Sequence, residues 1–186
     1  MKAEQKQART TGLACDIFIG RQPILDRSGK LYAYELLFRQ GHQNDAAVSD
    51  DLAATATVLS HVINELGVEA SLGPYLGFVN FDARMLMSDA IEMLPHRKFV
   101  LEVLETVEIT AEILARCRAL KRLGFTLAMD DFIGLKREHA PLLELVDIVK
   151  IYIMGMGRAR LTETVAALKQ WPVRLPAAKV DSDQQA

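Results

Sequence analysis

An α/β fold built on a largely parallel sheet is predicted by two features of this sequence. Short, nearly unbroken apolar runs alternate with stretches of helical periodicity, joined by short loops. The runs Phe99-Val100-Leu101 and Ile148-Val149 surrounding Lys150 leave no polar face, as expected of strands buried on both sides.

The elements follow in order. Residues 1–15 are polar and aperiodic and are expected to be a disordered leader. Two strand-like runs, 16–25 and 30–39, flank Asp26-Arg27-Ser28-Gly29, which has turn chemistry, so an antiparallel hairpin is expected. Ser49 can cap a helix carrying Leu52, Leu59, Val62, Ile63 and Leu66, closed by Gly67. Strand–helix alternation then sets in. A strand at 76–81 precedes a helix at 82–92. A strand at 99–104 precedes a helix from Thr110 to Gly124. A strand at 126–129 precedes a short helix at 138–145. A strand at 148–153 precedes a helix at 160–170. A last strand is expected at 173–180. This pattern means a parallel sheet or a barrel, although a full eight-stranded barrel typically takes about 250 residues.

Composition narrows the function classes. The chain has 186 residues and a formal net charge of −2, which leaves no basic field for long nucleic acids. No apolar run approaches the ~20 residues of a membrane span. Cys15 and Cys117 make neither a disulfide framework nor a metal cluster, and Cys117 falls on the apolar side of its helix. A reducing cytoplasm fits this usage.

Polar residues then stand out where apolar ones belong. Glu102 interrupts Phe-Val-Leu-Glu-Val-Leu, and Lys150 interrupts Ile-Val-Lys-Ile. A buried charge is costly unless paired or metal-bound, so the two form either a structural ion pair or part of a site. Asn80, Asp130 and Asp131 sit at strand ends, Glu105 lies beyond Glu102, and Glu35 and Arg39 lie in the hairpin. A single Asp there commonly caps a helix, and Asn80 can bond to backbone. Several carboxylates at one rim repel unless they share a cation. Hard oxygen donors suit Mg²⁺ or Mn²⁺, and such an ion suits phosphate-ester chemistry.

The same residues carry a resemblance. Tyr34-Glu35-Leu36-Leu37-Phe38-Arg39, Val79-Asn80-Phe81, Leu101-Glu102-Val103-Leu104-Glu105, Met129-Asp130-Asp131-Phe132 and Val149-Lys150-Ile151 follow one another in an order and spacing that resembles the EAL domain family. The opening Gly20-Arg21-Gln22-Pro23-Ile24-Leu25-Asp26 is most similar to the EAL half of EAL–HDOD proteins. The resemblance covers 16–181, leaving 182–186 as a polar tail. It implies a TIM-barrel-like EAL fold with an N-terminal hairpin, lacking the last strand–helix units. It implies hydrolysis of the bacterial messenger cyclic di-GMP with Mg²⁺ or Mn²⁺. By matched position, Glu35, Asn80, Glu102, Asp130 and Asp131 would hold metal, and Lys150 would position the attacking water. Arg39 would contact a phosphate, and Glu105 would support the loop after Asp131.

Departures from the pattern point to a degenerate member. The family's Gly-Thr-Gly-Tyr-Ser-Ser loop is replaced by Ile133-Gly134-Leu135-Lys136-Arg137-Glu138. The general-base Glu position holds Ala178, and the Glu closing that motif is Asp181. General-base help is typically worth about 10²–10⁴ in rate. A catalytically weak or inactive binding or interaction module is therefore expected, with an active Mg²⁺- or Mn²⁺-dependent phosphodiesterase as the alternative. An open sheet edge would call for a cover, either a protein partner or a second copy in a homodimer. A fragment of a longer EAL–HDOD chain would read the same way.

Overall fold

A computed structural model describes residues 17–26, 28–40 and 72–178. The leader, Cys15, the helix expected from Ser49 and the polar tail lie outside the described residues. The chain divides into two compact units, one of residues 1–79 and 88–99, the other of residues 80–87 and 100–186.

In the first unit, β1 (Ile17–Leu25) and β2 (Leu31–Gln40) form the expected antiparallel hairpin. The turn is locked by Asp26, whose Oδ1 accepts hydrogen bonds from Ser28 N–H at 2.8 Å and Lys30 N–H at 3.0 Å. Those bonds, led by the Ser28 hydroxyl, hold the Asp26 carboxyl below its usual range. The strand β3 (Leu76–Phe81) begins in this unit and pairs in parallel with β2, Glu35 lying opposite Phe78. Gly77 is required where it stands. A Cβ there would meet Leu72 Cδ1 at 2.9 Å and the Phe99 ring at 3.2 Å.

The second unit holds the strands β4 (Phe99–Val103, all but Phe99), β5 (Thr126–Phe132), β6 (Ile148–Tyr152) and β7 (Ala177–Ala178). They are parallel and lie side by side in sequence order. Each crossover carries a helix: α2 (Ala111–Arg122), α3 (Ala140–Leu143) and α4 (Arg158–Leu168), after a short α1 (Ala83–Leu86) that follows β3. Thr110 caps α2 by accepting from Ile113 N–H at 3.2 Å, and Gly124 ends it with φ 94°. Ile113, Cys117 and Leu120 put the inner stripe of α2 into a core with Leu101, Leu127, Val149 and Leu168.

Four expected elements differ in extent, and of the last strand, expected over 173–180, the described residues show Ala177–Ala178 and an isolated bridge at Arg174. The helix expected over 82–92 breaks at Met87. Asp82 caps α1, and Ser88 then accepts from Ala90 N–H and starts a separate 3₁₀ turn, Asp89–Met93. Two caps six residues apart stop one helix and begin another. The strand expected over 126–129 continues to Phe132, so Asp130 and Asp131 lie in the sheet itself. The helix expected over 138–145 divides into a 3₁₀ turn, Arg137–His139, and α3.

A clamp ties the crossovers together. Asp147 takes both of its oxygens to Lys121 Nζ, at 2.5 and 2.7 Å, and also accepts from Leu127 N–H at 3.0 Å. The end of α2, the start of β5 and the approach to β6 are thereby fixed in register.

Candidate functional site

Parallel strands place like-numbered pleats side by side, and the second unit uses this to gather polar groups. The Phe81 carbonyl accepts a hydrogen bond from Leu104 N–H at 3.3 Å, which in a parallel pairing sets Asn80 level with Glu102. Glu102 in turn lies opposite Ala128, and Ala128 opposite Ile148. One pleat further on lie Asp130 and Lys150, on the same face.

The register between β5 and β6 then slips. Met129 pairs with Val149 and Phe132 with Ile151, so Asp130 and Asp131 together face the single residue Lys150. This is a β-bulge, and Asp131 absorbs it with φ 42°, a left-handed conformation that Asp tolerates better than most residues. Asp130 is buried there and Asp131 half-buried.

Lys150 sits among the acids. Its ammonium lies 2.7 Å from Glu102 Oε1 and 3.0 Å from Asp130 Oδ1, with side-chain exposures of 7%, 0% and 11% for Lys150, Glu102 and Asp130. The sequence left open a structural Glu–Lys pair or a site. The ion pair is present, and it extends to a third residue, Asp130. One ammonium thus faces two carboxylates.

The other sequence-selected residues fall as follows. Glu35 is half-buried in β2, in the other unit, opposite Gln22 on β1 and Phe78 on β3. Arg39 lies further along β2, opposite Phe18. Glu105 is exposed in the turn after β4. Ala178 lies on β7, opposite Tyr152 of β6.

Among the described residues, no group of three or more His, Cys, Asp or Glu converges as a ready metal site. The donors that do share a face are Asn80, Glu102 and Asp130. All offer hard oxygens, the chemistry that suits Mg²⁺ or Mn²⁺. Asp130 Oδ1 is enclosed and takes part in no hydrogen bond of good geometry, although the Lys150 ammonium faces it. A buried acceptor in that state has a lone pair to give to a cation, so the donor set fits the ion.

Two contributors to the site carry no obvious sequence signal. Ala128 is fully buried between Glu102 and Ile148 and leaves the gap across which Lys150 reaches Glu102. Its only mark in the sequence is a small residue between Leu127 and Met129. His139 organises the loop after β5. Its Nδ1 accepts from Lys136 N–H at 3.3 Å, and its ring lies 5.3 Å from that of Phe132. Burial, and then the charge of Lys136, hold its pKa below 6.5.

No family model matches the sequence. Two curated proteins do. The chain is 35% identical over 147 residues to the uncharacterized protein YuxH of Bacillus subtilis, a match covering 76% of this chain and 36% of that protein. It is 33% identical over 153 residues to the cyclic di-GMP phosphodiesterase CdgJ of Vibrio cholerae, covering 80% and 34%. The chain thus spans about a third of the length of these relatives. Among solved structures, the MucR phosphodiesterase in complex with cyclic di-GMP superposes with a TM-score of 0.72 at 18% identity, covering 91% of this chain and 87% of that one. The EAL-domain protein YkuI of Bacillus subtilis, solved with substrate cyclic di-GMP and calcium, gives 0.66 at 18%, covering 91% and 51%. At that identity the superpositions show the fold, and the strand motifs stand on that fold in the family's order. Taken with the two curated relatives, they place the chain in the EAL domain family.

Proposed function

We propose that this chain is an EAL domain that recognises cyclic di-GMP and hydrolyses it weakly or not at all. One observation carries the reading. A buried charged cluster of Glu102, Asp130 and Lys150 is kept, with the half-buried Asn80 level with Glu102, while the strand position matched to the family's general base holds Ala178. A phosphodiester needs its charge neutralised and its attacking water deprotonated. The cluster serves the first need. Alanine cannot serve the second, and the loss is typically about 10²–10⁴ in rate.

In this reading Asn80, Glu102, Asp130 and Asp131 would hold Mg²⁺ or Mn²⁺, which when bound supplies positive charge to the phosphate oxygens. Lys150 would orient a water. Glu105 supports the loop after Asp131. YkuI, solved with cyclic di-GMP and calcium, supports a divalent ion in a site of this family. Cytoplasmic placement follows from the messenger. Among the described residues no helix is long and apolar enough to cross a membrane.

The retained cluster also favours a second reading, an active phosphodiesterase like the one CdgJ is named for. One experiment decides. Cyclic di-GMP is titrated calorimetrically with Mn²⁺ or Mg²⁺ and again with chelator, and the linear dinucleotide is followed by chromatography. Metal-dependent binding, abolished in Asp130→Asn and without appreciable product, is expected. Turnover of about 1 s⁻¹ or faster, in the ordinary enzyme range, makes the chain an active enzyme instead. Absence of binding removes the cyclic di-GMP reading and leaves an interaction module with a protein partner or a second copy.

A further inference from the structure

The metal reading above treats Lys150 as a helper beside a cation. Its position says more. The ammonium already occupies the place between Glu102 Oε1 and Asp130 Oδ1, at 2.7 and 3.0 Å, inside a setting where the three side chains are 0% to 11% exposed. A divalent ion held by the Glu102 and Asp130 carboxylates would compete with the ammonium for them, because two cations so close in a poorly screened interior repel each other strongly.

We propose that Lys150 is a built-in counter-cation, which keeps the acid cluster folded without metal and must be displaced from Glu102 and Asp130 before a divalent cation binds there. This rests on the reading of Glu102 and Asp130 as metal ligands. Three features of the chain support it. The first is reach. Ala128 is the only residue in register between Glu102 and Ile148, so a long side chain at the next pleat of β6 can cross to β4. The second is charge. Two carboxylates face the one ammonium in a setting where water screens little, which strengthens their attraction for positive charge. The third is fit. Asp130 Oδ1 is enclosed and takes part in no well-formed hydrogen bond, so it keeps a lone pair for an incoming cation. The ion-free domain is then stable but binds metal with an affinity reduced by the need to move Lys150. This is a competition that a ligand site without the lysine would not have.

The test uses Mn²⁺ alone, with calorimetry for affinity and thermal unfolding for stability. In chelator, Lys150→Met is expected to lower Tm by on the order of 10 °C, because it leaves buried carboxylates without their partner. The double variant E102Q/K150M, with one carboxylate neutralised, is expected to regain a large part of that loss. Lys150→Met is expected to bind Mn²⁺ at least tenfold more tightly than the unmodified chain and to recover Tm when Mn²⁺ is added. Should K150M not fold in chelator, E102Q and E102Q/K150M give the same comparison, and the double variant is expected to bind Mn²⁺ more tightly. Equal or weaker Mn²⁺ affinity once Lys150 is removed overturns the proposal and leaves the metal reading standing. Failure of every protein to bind Mn²⁺ overturns both.

Discussion

Ala128 bears no functional group, yet its size decides whether Lys150 can reach Glu102. It is fully buried, with Glu102 on one side and Ile148 on the other. Ala128→Leu places a branched side chain in that gap. It is expected to cost about 1–3 kcal/mol in denaturant unfolding through overpacking, and to weaken cyclic di-GMP binding in the same sample. Ala128→Ser, nearly the same in volume, is expected to change both far less. The neighbouring Asp131 works through its backbone. Its φ of 42° lets two residues of β5 oppose one of β6, and this aims Asp130 at Lys150. The double Asp, which the family resemblance implies holds metal, was visible in the sequence. The bulge was not, because it arises from the register between two strands and neither strand encodes it alone.

The segment that follows β5 shows what an element contributes. In place of the family's loop, this chain uses His139 to tie Phe132, Gly134 and Lys136 into a short 3₁₀ turn. The ring must be neutral at Nδ1 to accept from Lys136 N–H. Burial and the Lys136 charge hold the folded pKa below the unfolded value of 6.5, while Glu138 and the Gly134 backbone oppose them. The unfolded chain therefore binds more protons just below pH 6.5. The contribution of His139 is fully present above that pH and is lost as pH falls from 6.5 toward the folded pKa. Between about pH 7.5 and 5, Tm is expected to fall less steeply in His139→Gln than in the unmodified chain. Identical slopes would show that the imidazole does not govern the turn. The sequence placed a short helix here from Glu138. The 3₁₀ turn ahead of it depends on a histidine bond across three residues, which hydrophobic periodicity does not report.

At the scale of the whole molecule, Cys117 reports on cooperativity. It lies on α2 with no exposure, and burial pushes its thiol up to about 11. Alkylation needs both access and a thiolate, so the native chain is expected to react only through opening of the second unit. Its labelling rate, measured against denaturant, is expected to track global unfolding. Rapid labelling without denaturant would show that α2 detaches locally. The clamp of Asp147 on Lys121 and on the start of β5 is the reason for expecting one cooperative opening.

Strand–helix alternation, the hairpin turn at Asp26, the Thr110 cap and the Gly124 stop are local, and the sequence by itself determined them. The charges at Glu102 and Lys150 were equally legible, because an ionised residue within an apolar strand has few explanations. Tertiary structure alone decided that Asp130 joins that pair, that Asp130 and Asp131 share a bulge, and that Ala128 supplies the gap. Each of these depends on which residue of one strand stands opposite which residue of the next. That register is seen in the pairing between strands and in the Asp147 clamp, and the spacing of motifs along the chain does not fix it.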